Sequence, residues 1–158
     1  MTNQRRKGIE QLPVQGKEVH QSKAVDLSVA MALPGNLLVA PAIFGAQDKS
    51  LLELRAARQD LSARAKTNKL TVTEMTKGSF TVSNLGLSRV HQFTPIINAP
   101  QIGILGIGCA VQKAVQGDNG IELRPHIGLS LTFDHRAIDG APAADFLTDL
   151  CNTIESTT

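Results

Sequence analysis

The stretch LTFDHRAIDG, residues 131–140, decides how this chain is to be read. Leu131 and Phe133 alternate with polar residues in the manner of a half-buried strand. The alternation stops at Asp134, and His135, Arg136 and Asp139 follow before Gly140. Such a segment is either an ordinary polar turn between a strand and a helix, or a loop that holds a histidine for chemistry. Upstream, Ile121, Leu123, Ile127, Leu129, Leu131 and Phe133 fall on odd positions. Arg124, His126, Ser130, Thr132 and Asp134 fall on even ones, so the segment predicts a half-buried strand of period two. GDNG, residues 117–120, is a hairpin-turn signal. IGILGIGCAVQKAV, residues 102–115, is then the partner strand, in which Gly103, Gly106 and Gly108 predict close backbone approach or bulges. Downstream, APAADFLTDLCNTIES places Phe146, Leu147, Leu150, Cys151 and Ile154 on one helical face.

The earlier part of the chain mixes both periodicities. Residues 1–23 are polar and without clear period, and read as an arm ahead of one domain over 24–158. AVDLSVAMAL (24–33) and LLVAPAIF (37–44) read as strands around the turn Pro34-Gly35-Asn36, with Pro41 marking an edge or a bulge. Ser50 is a good N-cap for a helix over LLELRAARQDLSARAKTNKL. Thr71 and Glu74 form a capping-box pattern for a short second helix ended by Gly78. SFTVSN (79–84) is a short strand, followed by a loop with two prolines. Strands and helices therefore mix around a C-terminal antiparallel hairpin, which predicts an α+β or mixed-sheet sandwich.

Composition narrows the function classes. A chain of 158 residues suits one domain with a real core, and 42% hydrophobic against 19% charged residues fits a globular protein. Sixteen basic and 14 acidic residues give a net charge of +2, too balanced to argue for nucleic acid. Cys109 in an apolar strand and Cys151 on a helix read as reduced core residues, which favours a reducing, cytoplasmic setting. No Cys/His cluster has metal-ligand spacing, so no metal is expected. The N-terminus has no apolar core of a signal peptide, and no apolar run is long enough for a membrane span.

His135, aimed by the strand and held by the loop behind it, suits a general base, since histidine titrates at about 6.5. Spacing alone favours an ordinary surface histidine in a strand-to-helix loop. Asp139 is also expected as the N-cap of the helix beginning near Ala141. Arg136 and Asp139 are expected to pair and fix the loop.

The run RPHIGLSLTFDHRAIDGAPAADFL (124–147) resembles the catalytic acyltransferase core of 2-oxoacid dehydrogenase complexes, with its D-H-R-x-x-D-G signature. The resemblance extends through SFTVSNLG (79–86), FTPIINAPQIGILGIG (93–108) and DLSVAMALPGNLLVAPAIFGAQDKSLLEL (26–54), in the family's order. The chain is also similar to chloramphenicol acetyltransferase, which has a related H-x-x-x-D-G motif. The fold this implies is a two-layer α/β sandwich with a mixed β-sheet, assembling as homotrimers or multiples of them. The implied reaction moves an acyl group between thioesters of coenzyme A and dihydrolipoamide. His135 would be the base, Ser83 the oxyanion donor, and Asp139 the residue holding the loop. No covalent cofactor is implied: acyl-CoA is a substrate, and the lipoyl group is presented by another domain or protein of such a complex.

The resemblance also has gaps. About the first third of the usual core has no counterpart before residue 24, so the domain reads as N-terminally shortened. Arg89 and His91 stand where relatives carry a glycine and other residues, in a loop that borders the family's substrate channel. No lipoyl-bearing or small partner-binding domain is expected within residues 1–158, and Lys49 in Asp48-Lys49-Ser50 reads as a surface lysine rather than a lipoylated one. The alternatives are a non-catalytic scaffold homologue of such a complex, or an enzyme acting on a hydroxyl acceptor.

Overall fold

The computed structural model describes residues 14–15, 18–19, 21–118 and 120–157. Most of the arm expected over 1–23 lies outside the described residues; within it Val14–Gln15 (β1) and Glu18–Val19 (β2) pair antiparallel. Each of the next two expected strands is split in two. Leu27–Val29 (β3) and Met31–Leu33 (β4) share the first, Leu37–Val39 (β5) and Ala42–Ile43 (β6) the second. β3 and β6 pair antiparallel in the central sheet, whereas β4 and β5 leave it as a hairpin of their own. The turn at its tip needs left-handed backbone, and Gly35 (φ 79°) and Asn36 (φ 60°) supply it. Pro41 falls at the break and offers no N–H to continue the ladder.

A single 3₁₀ turn, Ala46–Asp48, leads to the helix Leu51–Lys66 (α1). Ser50 caps it as expected: its Oγ accepts the Glu53 N–H, and the Glu53 carboxylate accepts the Ser50 N–H at 2.7 Å. The helix stops four residues short of Leu70. Asn68 turns left-handed (φ 54°), so Asn68 N–H donates to the Ala65 carbonyl and Lys69 N–H to that of Arg64. Those are the two bonds of a Schellman stop. The short helix Val72–Thr76 (α2) has the expected Thr71–Glu74 capping box. It ends before Gly78, whose lack of a side chain serves another purpose: a Cβ there would lie 1.8 Å from Ser28 Oγ.

Phe80–Asn84 (β7) runs parallel to β3 and to Gly103–Gly117 (β8), and β8 turns back antiparallel into Gly120–Phe133 (β9). The sheet order β6-β3-β7-β8-β9 is the mixed sheet expected from the sequence. The crossover from β3 to β7 carries α1 and α2, as parallel neighbours require a long connection. From β7 to β8 the chain instead lays an irregular loop over one sheet face, with Phe93 and Pro95 against Gly106. Beneath it the buried Thr81 hydroxyl donates to Gln101 Oε1 at 2.5 Å, and Gln101 Nε2 donates to Ser28 Oγ at 3.3 Å. These mutual bonds offset the cost of burying three polar side chains. The final helix, Gly140–Glu155 (α3), sets Phe146 edge-on to Phe80 at 6.2 Å.

Two expectations about burial need correction. Ala143 is buried and Phe146, Leu147 and Leu150 are half-buried on α3, but Cys151 is exposed and Ile154 is 37% exposed. Cys109 is only half-buried. On β9 the period-two pattern does not become a buried row near the hairpin tip. Ile121 is 78% and Leu123 68% exposed, because the two-stranded arm runs past the rest of the sheet and, among the described residues, has little packed beneath it.

Candidate active site

β9 delivers the loop after it. Asp134 N–H donates to the Ile102 carbonyl at 2.8 Å, and the Asp134 carbonyl accepts Ala137 N–H and Ile138 N–H at 3.0 and 3.1 Å. The chain is thus turned tightly just where His135 stands. The Asp134 carboxylate accepts the Arg136 backbone N–H at 3.0 Å and the Arg136 guanidinium through Nε (2.9 Å) and Nη2 (2.6 Å). Those bonds hold the Asp134 carboxyl well below the usual range, at about 2. The pair expected between Arg136 and Asp139 is therefore not made. Arg136 closes back on Asp134 because the turn places residues two apart on the same side.

Asp139 occupies the N-cap position of α3, but its side chain makes no capping hydrogen bond, contrary to expectation. Its carboxylate instead faces the imidazole, with Oδ1 3.8 Å from His135 Nδ1. The other ring contact is Phe133, at 5.8 Å between centroids. His135 thus has an aromatic ring and an acid as neighbours, with its side chain 71% exposed. An open imidazole in that setting can exchange a proton with a bound ligand.

Ser83 lies in the middle of the sheet, half-buried on β7, and its hydroxyl has no hydrogen-bond partner among the described residues. It pairs with Gly106, which pairs in turn with Ser130. His135 is thus two strand steps and about five residues away, on the order of 15–20 Å. One chain brings His135 and Asp139 together and leaves Ser83 apart. Lys49 sits exposed between the 3₁₀ turn and α1, as expected of a surface lysine. Asp134 was not expected in the site; its position next to the histidine, with an arginine two residues on, is the signal that points to it. Among the described residues no group of three or more His, Cys, Asp or Glu could hold a metal ion. No described helix is long and apolar enough to cross a membrane.

Residues 10–158 match the family model described as 2-oxoacid dehydrogenases acyltransferase (catalytic domain). The chain belongs to this family. The acyltransferase match begins at residue 10, within the segment read from sequence as an arm. Among relatives, the dihydrolipoyllysine-residue acetyltransferase component of the pyruvate dehydrogenase complex of Corynebacterium glutamicum is 39% identical over 144 residues. That alignment takes in 89% of this chain and 21% of the relative, so the chain spans about a fifth of that protein's length. Among solved structures, the dihydrolipoamide acetyltransferase of Azotobacter vinelandii superposes with a TM-score of 0.81 at 34% identity. It covers 88% of this chain and 57% of that one. A serine, a histidine and an asparagine of that enzyme have been studied for their role in its catalytic mechanism. The cubic core of a pyruvate dehydrogenase multienzyme complex superposes equally well, at 0.81 and 35% identity, over 88% of this chain and 57% of its own. The mixed sheet with helices is the fold of these acyltransferase catalytic cores.

Proposed function

We propose that this chain transfers an acyl group between coenzyme A and the thiol of a dihydrolipoyl group, with His135 as general base. One observation carries the reading. The serine, histidine and asparagine of the Azotobacter enzyme are separated along their chain by the same intervals as Ser83, His135 and Asp139 are here. A thiol with an intrinsic pKa of about 8.5 is mostly protonated at neutrality and needs a base. His135 takes that proton, the thiolate attacks the thioester carbonyl, and the tetrahedral oxyanion accepts a hydrogen bond from Ser83 Oγ. The intermediate collapses with loss of the original thiolate, to which His135 returns the proton. Asp139 stands where the Azotobacter enzyme has asparagine. Its carboxylate, 3.8 Å from Nδ1, steadies the imidazolium formed in the first step.

The separation of Ser83 from His135 within one chain implies that each site is shared between neighbouring copies, as in a closed trimer or a multiple of trimers. Coenzyme A and a lipoyl group carried by another domain or chain are substrates, not resident cofactors. His135→Asn is expected to lower turnover of acetyl-CoA with dihydrolipoamide by about two to four orders of magnitude, with the fold intact by circular dichroism. A well-folded variant that turns over at the wild-type rate would remove the catalytic reading. Trimers that form without wild-type activity would leave the scaffold role.

A further inference from the structure

Between Ile107 and Ala110 the β8–β9 ladder loses register, and there Gly108 and Cys109 together oppose Gly128. The loop after β7 settles into this bulge. Leu85 N–H donates to the Ile107 carbonyl at 2.9 Å, and Cys109 N–H donates to the Val90 carbonyl at 2.8 Å. A Cβ at Gly108 would lie 2.0 Å from the His91 carbonyl oxygen, and one at Gly128 would lie 2.3 Å from it. Only glycine at both positions lets the backbone of His91 come so close. The result is a seated imidazole with Nδ1 3.6 Å from Cys109 Sγ, the thiol half-buried and the ring exposed. A bulge, two glycines and a loop from another part of the chain converge on this pair, and acyl transfer through His135 and Ser83 uses neither member.

We propose that Cys109 and His91 form a second nucleophilic site that accepts an acyl group from an acyl thioester. The inference rests on the reading that this chain takes acyl-CoA. His91 takes the thiol proton and the Cys109 thiolate attacks the thioester carbonyl. A bond forms between Sγ and the acyl carbon, the bond from that carbon to the sulfur of coenzyme A breaks, and the departing thiolate recovers the proton from His91. One thioester replaces another, so no oxidant or metal enters the balance. Ser83 pairs with Gly106, three residues before Cys109 on β8. One strand step and three residues put the thiol on the order of 10 Å from the proposed oxyanion serine. A thioester bound near Ser83 is therefore within a short swing of Cys109.

The test uses the whole chain and two probes, with Cys151, exposed on α3, as internal comparison. Under limiting iodoacetamide, peptide mass spectrometry should show Cys109 alkylated about tenfold or more faster than Cys151, and His91→Gln should abolish the advantage. With acetyl-CoA, Cys109 should gain a hydroxylamine-labile acetyl group, absent in Cys109→Ser and slowed about tenfold or more in His91→Gln. Equal alkylation of the two cysteines would overturn the proposal. So would an unacylated Cys109 in protein that turns over acetyl-CoA with dihydrolipoamide. Protein inactive toward dihydrolipoamide but selectively alkylated and acetylated at Cys109 would sustain this site and sink the lipoyl transfer reading.

Discussion

Asp134 and Arg136 flank His135 and grip each other through the carboxylate and guanidinium, so the backbone is fixed on both sides of the imidazole. The turn that the Asp134 carbonyl closes adds a third restraint. Asp134→Asn keeps the size and one acceptor but loses the charged fork, and His135 should then sample orientations that miss the thiol. Steady-state kinetics should show kcat reduced about ten- to a hundredfold with KM near the wild-type value. An unchanged kcat would mean that the grip does not position the base. His135 and Asp139 were legible in the sequence because the signature that contains them is contiguous. The partner of Arg136 was not. Whether it meets the acid two residues before it or the one three residues after it depends on the turn conformation. The capping bond expected of the Asp139 side chain was not legible either, since a residue at an N-cap position need not use its side chain as the cap.

At the scale of elements, the caps were legible because each is a local bargain between residues three apart: Ser50 with Glu53, Thr71 with Glu74. Glu74 does more. Besides capping α2 it takes the Arg64 guanidinium through both oxygens, which ties the last turn of α1 to the start of α2. Those contacts, Arg64 first, hold its carboxyl down at about 2. A carboxyl depressed in the folded state adds stability above its unfolded value of about 4.3, and that contribution fades as pH falls through about 2. Glu74→Gln can still cap but cannot pair, so denaturant titration should show a loss of about 0.5–1 kcal/mol at neutral pH. The gap from wild type should narrow below about pH 4, and a gap that held at low pH would contradict the assignment. The splitting of residues 24–33 and 37–44 was not legible. Which residues join the central sheet is settled by the pairing of β3 with β7, far along the chain, and periodicity carries no such information. The loop lying over Gly106, Gly108 and Gly128 was anticipated only in part, through the glycines that admit it.

At the scale of the whole molecule, the single chain is incomplete in two ways that agree. Its β8–β9 arm exposes Ile121, Leu123 and Ile127 on a strand whose sequence is patterned for burial, and it holds His135, the proposed base, apart from Ser83, the proposed oxyanion donor. Self-association would cover the first and complete the second. Leu123→Glu should shift sedimentation at micromolar concentration from trimers or their multiples toward single chains, and activity should fall with it. A wild-type chain that stays monomeric at that concentration would contradict shared sites.

The most direct measurement mixes two inactive variants. Ser83→Ala is expected to lose turnover about a hundred- to a thousandfold, as for one missing oxyanion donor, and His135→Asn to lose at least as much. Refolded together in equal amounts, they form closed rings in which each site draws its histidine from one chain and its serine from the next. Random mixing then gives both native residues to about a quarter of the sites. The mixture should regain about a quarter of wild-type turnover of acetyl-CoA with dihydrolipoamide. No recovery, in rings that native mass spectrometry shows to be mixed, would contradict a site shared between chains.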